Sequence, residues 1–67
     1  MTERGREILT LVATGATNLK IAGELSLSVN TIRNYVQAIL TKLGALSKLE
    51  AVSIAVREGI VDYPGGP

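Results

Sequence analysis

The stretch Ser28 to Gly44, SVNTIRNYVQAILTKLG, decides how the rest of the chain is read. Its apolar residues Ile32, Val36, Ile39, Leu40 and Leu43 are spaced i, i+4, i+7, i+8 and i+11. That spacing draws one stripe along a helix and fits no strand alternation. Ser28 ahead of the stripe is a good N-cap, and Gly44 behind it a good C-cap. Asn30, Arg33, Asn34, Gln37 and Thr41 recur at three- and four-residue intervals on the face turned away from the stripe. Amides and a guanidinium are the groups that pair with base edges in a DNA major groove, and none of these five side chains is acidic. The stretch reads as a recognition helix.

On its N-terminal side, two shorter helices are expected. Thr2 can cap a first helix over residues 3–14, with Glu3 in the turn where the helix dipole favours an anion. Ile8, Leu9, Leu11 and Val12 supply its buried face, and Gly15 is a natural stop. Gly5 in the first turn costs up to about 1 kcal/mol, so the start of this helix is expected to fray. Thr17 can cap a second helix over 18–25 with Ile21, Ala22 and Leu25 facing inward. Ser26 and Leu27 then lead directly to the Ser28 cap. Two helices joined by so short a turn, the second with a polar and basic outer face, follow the order of a helix-turn-helix. The turn lacks the glycine often found there.

On its C-terminal side, Ser47-Lys48-Leu49-Glu50 reads as a capping box, with the Glu50 carboxylate reaching back to the Ser47 N–H. It opens a fourth helix over 48–58, stopped by Gly59. Leu49, Val52 and Val56 are assigned to the core, which leaves Ala51, Ile54 and Ala55 as an apolar strip for a helix-to-helix dimer contact. The alternative for this helix is burial on two sides. Residues 1–60 form one domain, and 61–67, with Pro64, Gly65, Gly66 and Pro67, are expected to be disordered.

Composition narrows the function. Sixty-seven residues make one small domain, which buries only about 60% of its unfolded surface. The chain is 46% hydrophobic, and with Tyr35 and Tyr63 as its only aromatics the core must be aliphatic. There is no cysteine and no histidine. The usual general bases, nucleophiles and transition-metal ligands are therefore missing, which argues against an enzyme or a metal protein. No apolar run approaches the ~20 residues that span a bilayer, and residues 1–16 do not show the basic-then-apolar order of a signal peptide. A cytoplasmic protein with no membrane partner, cofactor or small-molecule ligand is expected.

The net charge of +1 is unevenly spread. Residues 1–16 hold Glu3, Arg4, Arg6 and Glu7 and are neutral. Residues 17–49 hold Lys20, Arg33, Lys42 and Lys48 against Glu24, and residues 50–67 hold Arg57 against Glu50, Glu58 and Asp62. No acidic side chain stands between Glu24 and Glu50. A mildly positive middle between neutral and acidic ends is compatible with one phosphate-facing surface.

These residues also carry a resemblance. Thr2-Glu3-Arg4, Arg6-Glu7-Ile8-Leu9, Gly15, Asn18, Ile21-Ala22, Leu25, Ser28, Thr31 to Val36, Ile39-Leu40, Lys42-Leu43 and Ala51 resemble the LuxR/NarL/FixJ-type helix-turn-helix domain over residues 1–58. Its centre is a serine cap followed by Thr-[Val/Ile]-[Lys/Arg]-x-[His/Tyr]-Val. The resemblance implies an all-α, four-helix domain that binds double-stranded DNA as the C-terminal effector of a bacterial transcription regulator. The third helix would enter the major groove, and the fourth would carry a homodimer contact, with RNA polymerase as a further partner. It places base contacts at Arg33, Asn34 and Gln37, and phosphate contacts at Thr17, Asn18, Lys20, Asn30, Thr31, Tyr35 and Lys42. Three positions depart from the pattern. Gly5 replaces a glutamate of the first capping box, Lys20 stands where glutamate is common, and Met1 stands at a leucine that follows a linker, as in an excised domain. The competing reading is a helical interaction module docking on another transcription component. Separately, the plain alternatives for single residues are solvated helix positions for Arg33 and Lys42, surface fillers for Asn34 and Gln37, and a lid on the core for Tyr35.

Overall fold

Four α-helices follow from four capped apolar stretches. The computed structural model of the chain describes residues 1–61, in which α1 spans Glu3–Ala13, α2 Asn18–Leu25, α3 Val29–Leu43 and α4 Lys48–Arg57. Each helix begins with a hydroxyl that accepts the N–H of the helix's third residue, one of its orphan amides. Thr2 Oγ1 takes Gly5 N–H at 3.0 Å, Thr17 Oγ1 takes Lys20 N–H at 3.1 Å, Ser28 Oγ takes Thr31 N–H at 3.0 Å and Ser47 Oγ takes Glu50 N–H at 3.1 Å. Every boundary lies within a residue of its sequence expectation, because caps mark helix ends chemically.

Three local expectations are corrected. The first turn of α1 is regular from Glu3 onward, and Gly5 is buried. A Cβ there would stand 3.2 Å from both Met1 Cγ and Thr2 Oγ1, so the glycine leaves room for these two side chains to close over the first turn. The Glu50 carboxylate does not close the box on Ser47. It accepts the Leu46 N–H at 2.8 Å, one residue further back. Val61, assigned to the tail, is buried with the core, and Ile60 N–H donates to Ala55 O at 2.8 Å. The rest of that tail, 62–67, lies outside the described residues.

The turn between α2 and α3 solves its missing glycine with a serine. Ser26 sits at φ 57°, ψ 41°, the single non-glycine residue with positive φ among those described. Left-handed backbone costs an L-residue about 1–2 kcal/mol. The Leu27 N–H, bonded to Ala22 O at 2.9 Å, and the partly buried Leu27 side chain hold it there. At the other end of α3, Gly44 takes the same conformation, φ 68°, where no penalty applies.

Helix α3 is the hub, packing against α1, α2 and α4. Ile8, Leu9, Ile21, Ala22, Ile32, Ile39, Ala51, Ala55 and Val61 form the buried core, with Val36, Leu40 and Leu43 packed on it. The orientation of α4 differs from its sequence reading. Ala51 and Ala55 are 2% and 0% exposed and belong to the core, so neither can meet a partner. Leu49, assigned to the core, is 80% exposed. Val52 and Val56 pack on the core from its edge and stay half-buried. The alanines win the inner face because small side chains let α4 approach its neighbours closely, whereas Leu49 would hold it off. Of the expected strip, Ile54 alone keeps an accessible side chain.

Candidate nucleic-acid interface

Burying Ile32 and Ile39 turns the polar side of α3 outward. Asn30, Arg33, Asn34, Gln37 and Thr41 are all exposed. At 100° per residue they fall within an arc of about 100°. Fifteen residues at ~1.5 Å each make a rod of about 22 Å, and an α-helix fits the ~12 Å width of a major groove. Arg33, Asn34 and Gln37 occupy this arc with no acidic neighbour on α3. Thr41 is different. Its hydroxyl donates to Gln37 O at 3.0 Å and is used within the helix.

One flank of the same helix holds Thr31, Tyr35 and Lys42, about 60–100° further round. Thr31 Oγ1 lies 2.8 Å from Ser28 Oγ, so it is part of the cap. Tyr35 is partly buried and packs on the core, as a lid would. Lys42 is exposed and borders a shallow groove with Met1, Thr2, Tyr35 and Ala38.

The start of α2 brings Thr17, Asn18 and Lys20 together. Thr17 caps the helix, Lys20 is exposed, and Asn18 is half-buried. Here the structure adds a residue to which the sequence reading gave no role. Lys48, in the first turn of α4, donates from Nζ to Asn18 Oδ1 at 3.1 Å. The signal available in the sequence was its position within the acid-free stretch.

Electrostatics separate this surface from the other side of the chain. The one ion pair among the described residues is Arg4–Glu7 on α1, at 3.0 Å. Lys20, Arg33, Lys42 and Lys48 therefore have no carboxylate partner among those residues. By contrast, the broad groove of about 730 Å³ along α1 and α2 is lined by Glu3, Glu7 and Glu24 as well as Arg4 and Arg6, a mixed surface with nothing to attract a polyanion. Among the described residues no helix is long and apolar enough to cross a membrane.

Comparison with known proteins agrees with this geometry. Residues 1–55 match the GerE family, described as bacterial regulatory proteins of the luxR family. The chain is 41% identical over 59 residues to the transcriptional regulatory protein DesR of Bacillus subtilis, covering 88% of the chain and 30% of DesR. It is 48% identical over 59 residues, with the same two coverages, to the transcriptional regulatory protein YvfU of the same organism. The oxygen regulatory protein NreC of Staphylococcus aureus is 38% identical over 63 residues, 94% of this chain and 29% of NreC. The chain thus spans less than a third of the length of these relatives. The solved structure of the transcription factor GerE superposes with a TM-score of 0.89 at 28% identity, covering 94% of each chain. The chain belongs to the luxR family of bacterial regulatory proteins, as a helix-turn-helix domain of the DNA-binding kind found in transcription regulators.

Proposed function

We propose that this domain reads double-stranded DNA by inserting α3 into the major groove, as the effector part of a transcription regulator. The observation that carries the reading is the outer face of α3, where Arg33, Asn34 and Gln37 stand exposed and side by side without a carboxylate. Arg33 suits a guanine, to which guanidinium binds O6 and N7 as a fork, while Asn34 and Gln37 suit adenine N6 and N7. Asn30, Thr31, Tyr35 and Lys42 on α3, and Thr17, Asn18 and Lys20 at the start of α2, supply phosphate contacts that fix the register.

Three base-reading side chains specify few base pairs, so the reading calls for two copies on two half-sites. The contact between copies is placed on the apolar side of α4 left open by the core, with Leu49 at its centre and Val52 and Val56 beside it. Ile54 lies on the far side of the Ala51–Ala55 line and outside that strip.

Selection of bound sequences from a random duplex pool tests this, with the wild type and Arg33→Ala in parallel. A two-fold repeated motif is expected, and the variant loses one position of each repeat, a cost of about 1–3 kcal/mol. Recovery of the same motif by both would remove Arg33 as a base reader. A pool left unenriched, together with capture of another transcription component, would favour the interaction module.

A further inference from the structure

Among the described residues, every side-chain hydrogen bond but one joins positions no more than four apart in sequence. The exception spans thirty: Lys48 Nζ to Asn18 Oδ1, from the first turn of α4 to the first residue of α2. Both residues are half-buried. We propose that Lys48 is a positioning residue for nucleic-acid binding, locking the Asn18 side-chain amide so that its NH2 group faces the phosphate backbone. The inference rests on the DNA-binding reading above.

The chemistry leaves little freedom. An ammonium has three donors and no acceptor, so only the amide oxygen of Asn18 can face it. The two ends of an asparagine amide are alike in shape but opposite in hydrogen-bonding sense. Fixing the oxygen inward therefore fixes the NH2 outward, beside Thr17 and Lys20 and on the turn whose backbone amides already point out of the helix. A phosphate accepts hydrogen bonds and does not donate them, so Asn18 helps only in this orientation. With Lys48 removed, the amide can turn over and present its oxygen, which repels the phosphate. Lys48 thus acts through Asn18, and it links α4 to the DNA face in doing so.

A double-mutant cycle tests this, read as affinity for a random-sequence duplex at low salt. The chains are wild type, Lys48→Met, Lys48→Arg, Asn18→Ala and Lys48→Met/Asn18→Ala, each checked by thermal melting. Thr17 still caps α2 in all of them. Lys48→Met should weaken binding roughly three- to tenfold, the scale of one ordinary hydrogen bond lost. Lys48→Arg, which keeps a cationic donor, should stay near wild type. In the Asn18→Ala background, Lys48→Met should cost at most about twofold, the share of a lost surface charge. In NMR spectra, the Asn18 side-chain amide pair should shift in Lys48→Met and return in Lys48→Arg, which reports the Lys48–Asn18 bond itself, while the coupling in affinity is the readout that a merely structural lysine would not give. An equal loss in both backgrounds overturns the proposal, as does an Asn18 amide pair unmoved by Lys48→Met. Failure of the wild type itself to bind the duplex would instead sink the DNA-binding reading, and the inference with it.

Discussion

Helix α3 buries isoleucines and turns its amides outward, while helix α4 buries alanines and turns a leucine outward. The two faces they leave open are accordingly suited to different partners. An amide-and-guanidinium face loses little by staying in water and gains directional bonds against base edges. An exposed leucine flanked by valines gains only by being covered. The inner faces differ as well. Fully burying an isoleucine side chain stabilises by about 1.5–3 kcal/mol, while an alanine methyl yields closer to ~0.8 kcal/mol. The attachment of α4 consequently depends on close approach and on Ile60 and Val61 folding back towards Ala55.

The largest expected effect breaks that close approach. Ala55→Leu should destabilise the domain by about 1–3 kcal/mol through overpacking. For a chain of this size that lowers the melting temperature by roughly 4–8 °C for each kcal/mol, measured by circular dichroism. Leu49→Ser on the exposed side of the same helix is the sharpening control. Its melting should move by no more than about 0.5 kcal/mol equivalent. Affinity for a duplex with two half-sites should nevertheless fall, while affinity for a single half-site stays unchanged. A melting shift as large for Leu49→Ser as for Ala55→Leu would mean that α4 is turned the other way. The smallest effect is on the flank of α3. Lys42→Ala should weaken all sequences alike and reduce the slope of log K against log salt by about 1. A change of preferred sequence in that variant would place Lys42 among the base readers.

How legible each helix was follows from the same contrast. In α3 the large apolar residues occupy one stripe, so their period alone gives the helix, its inner face and therefore its outer one. In α4 Leu49, Val52 and Val56 compete with Ala51 and Ala55, and periodicity cannot rank two apolar sides. Side-chain size decided it, and size acts only once neighbouring helices are present. The caps were readable because Thr2, Thr17, Ser28 and Ser47 act within three residues of themselves. The Ser26 conformation is held by the packing of Leu27 on the core, which a local pattern does not show. The Lys48–Asn18 bond joins two helix starts thirty residues apart, beyond the reach of any local pattern.

The contrast between the two faces comes to a single test in amide chemical shifts of the labelled chain, followed as a random-sequence duplex is added at low salt. Shifts should concentrate at Asn30 to Gln37 on α3 and at Thr17 to Lys20 at the start of α2, with Leu49, Val52 and Val56 on α4 little changed. Shifts confined to the α4 strip, with α3 silent, would contradict major-groove reading by α3.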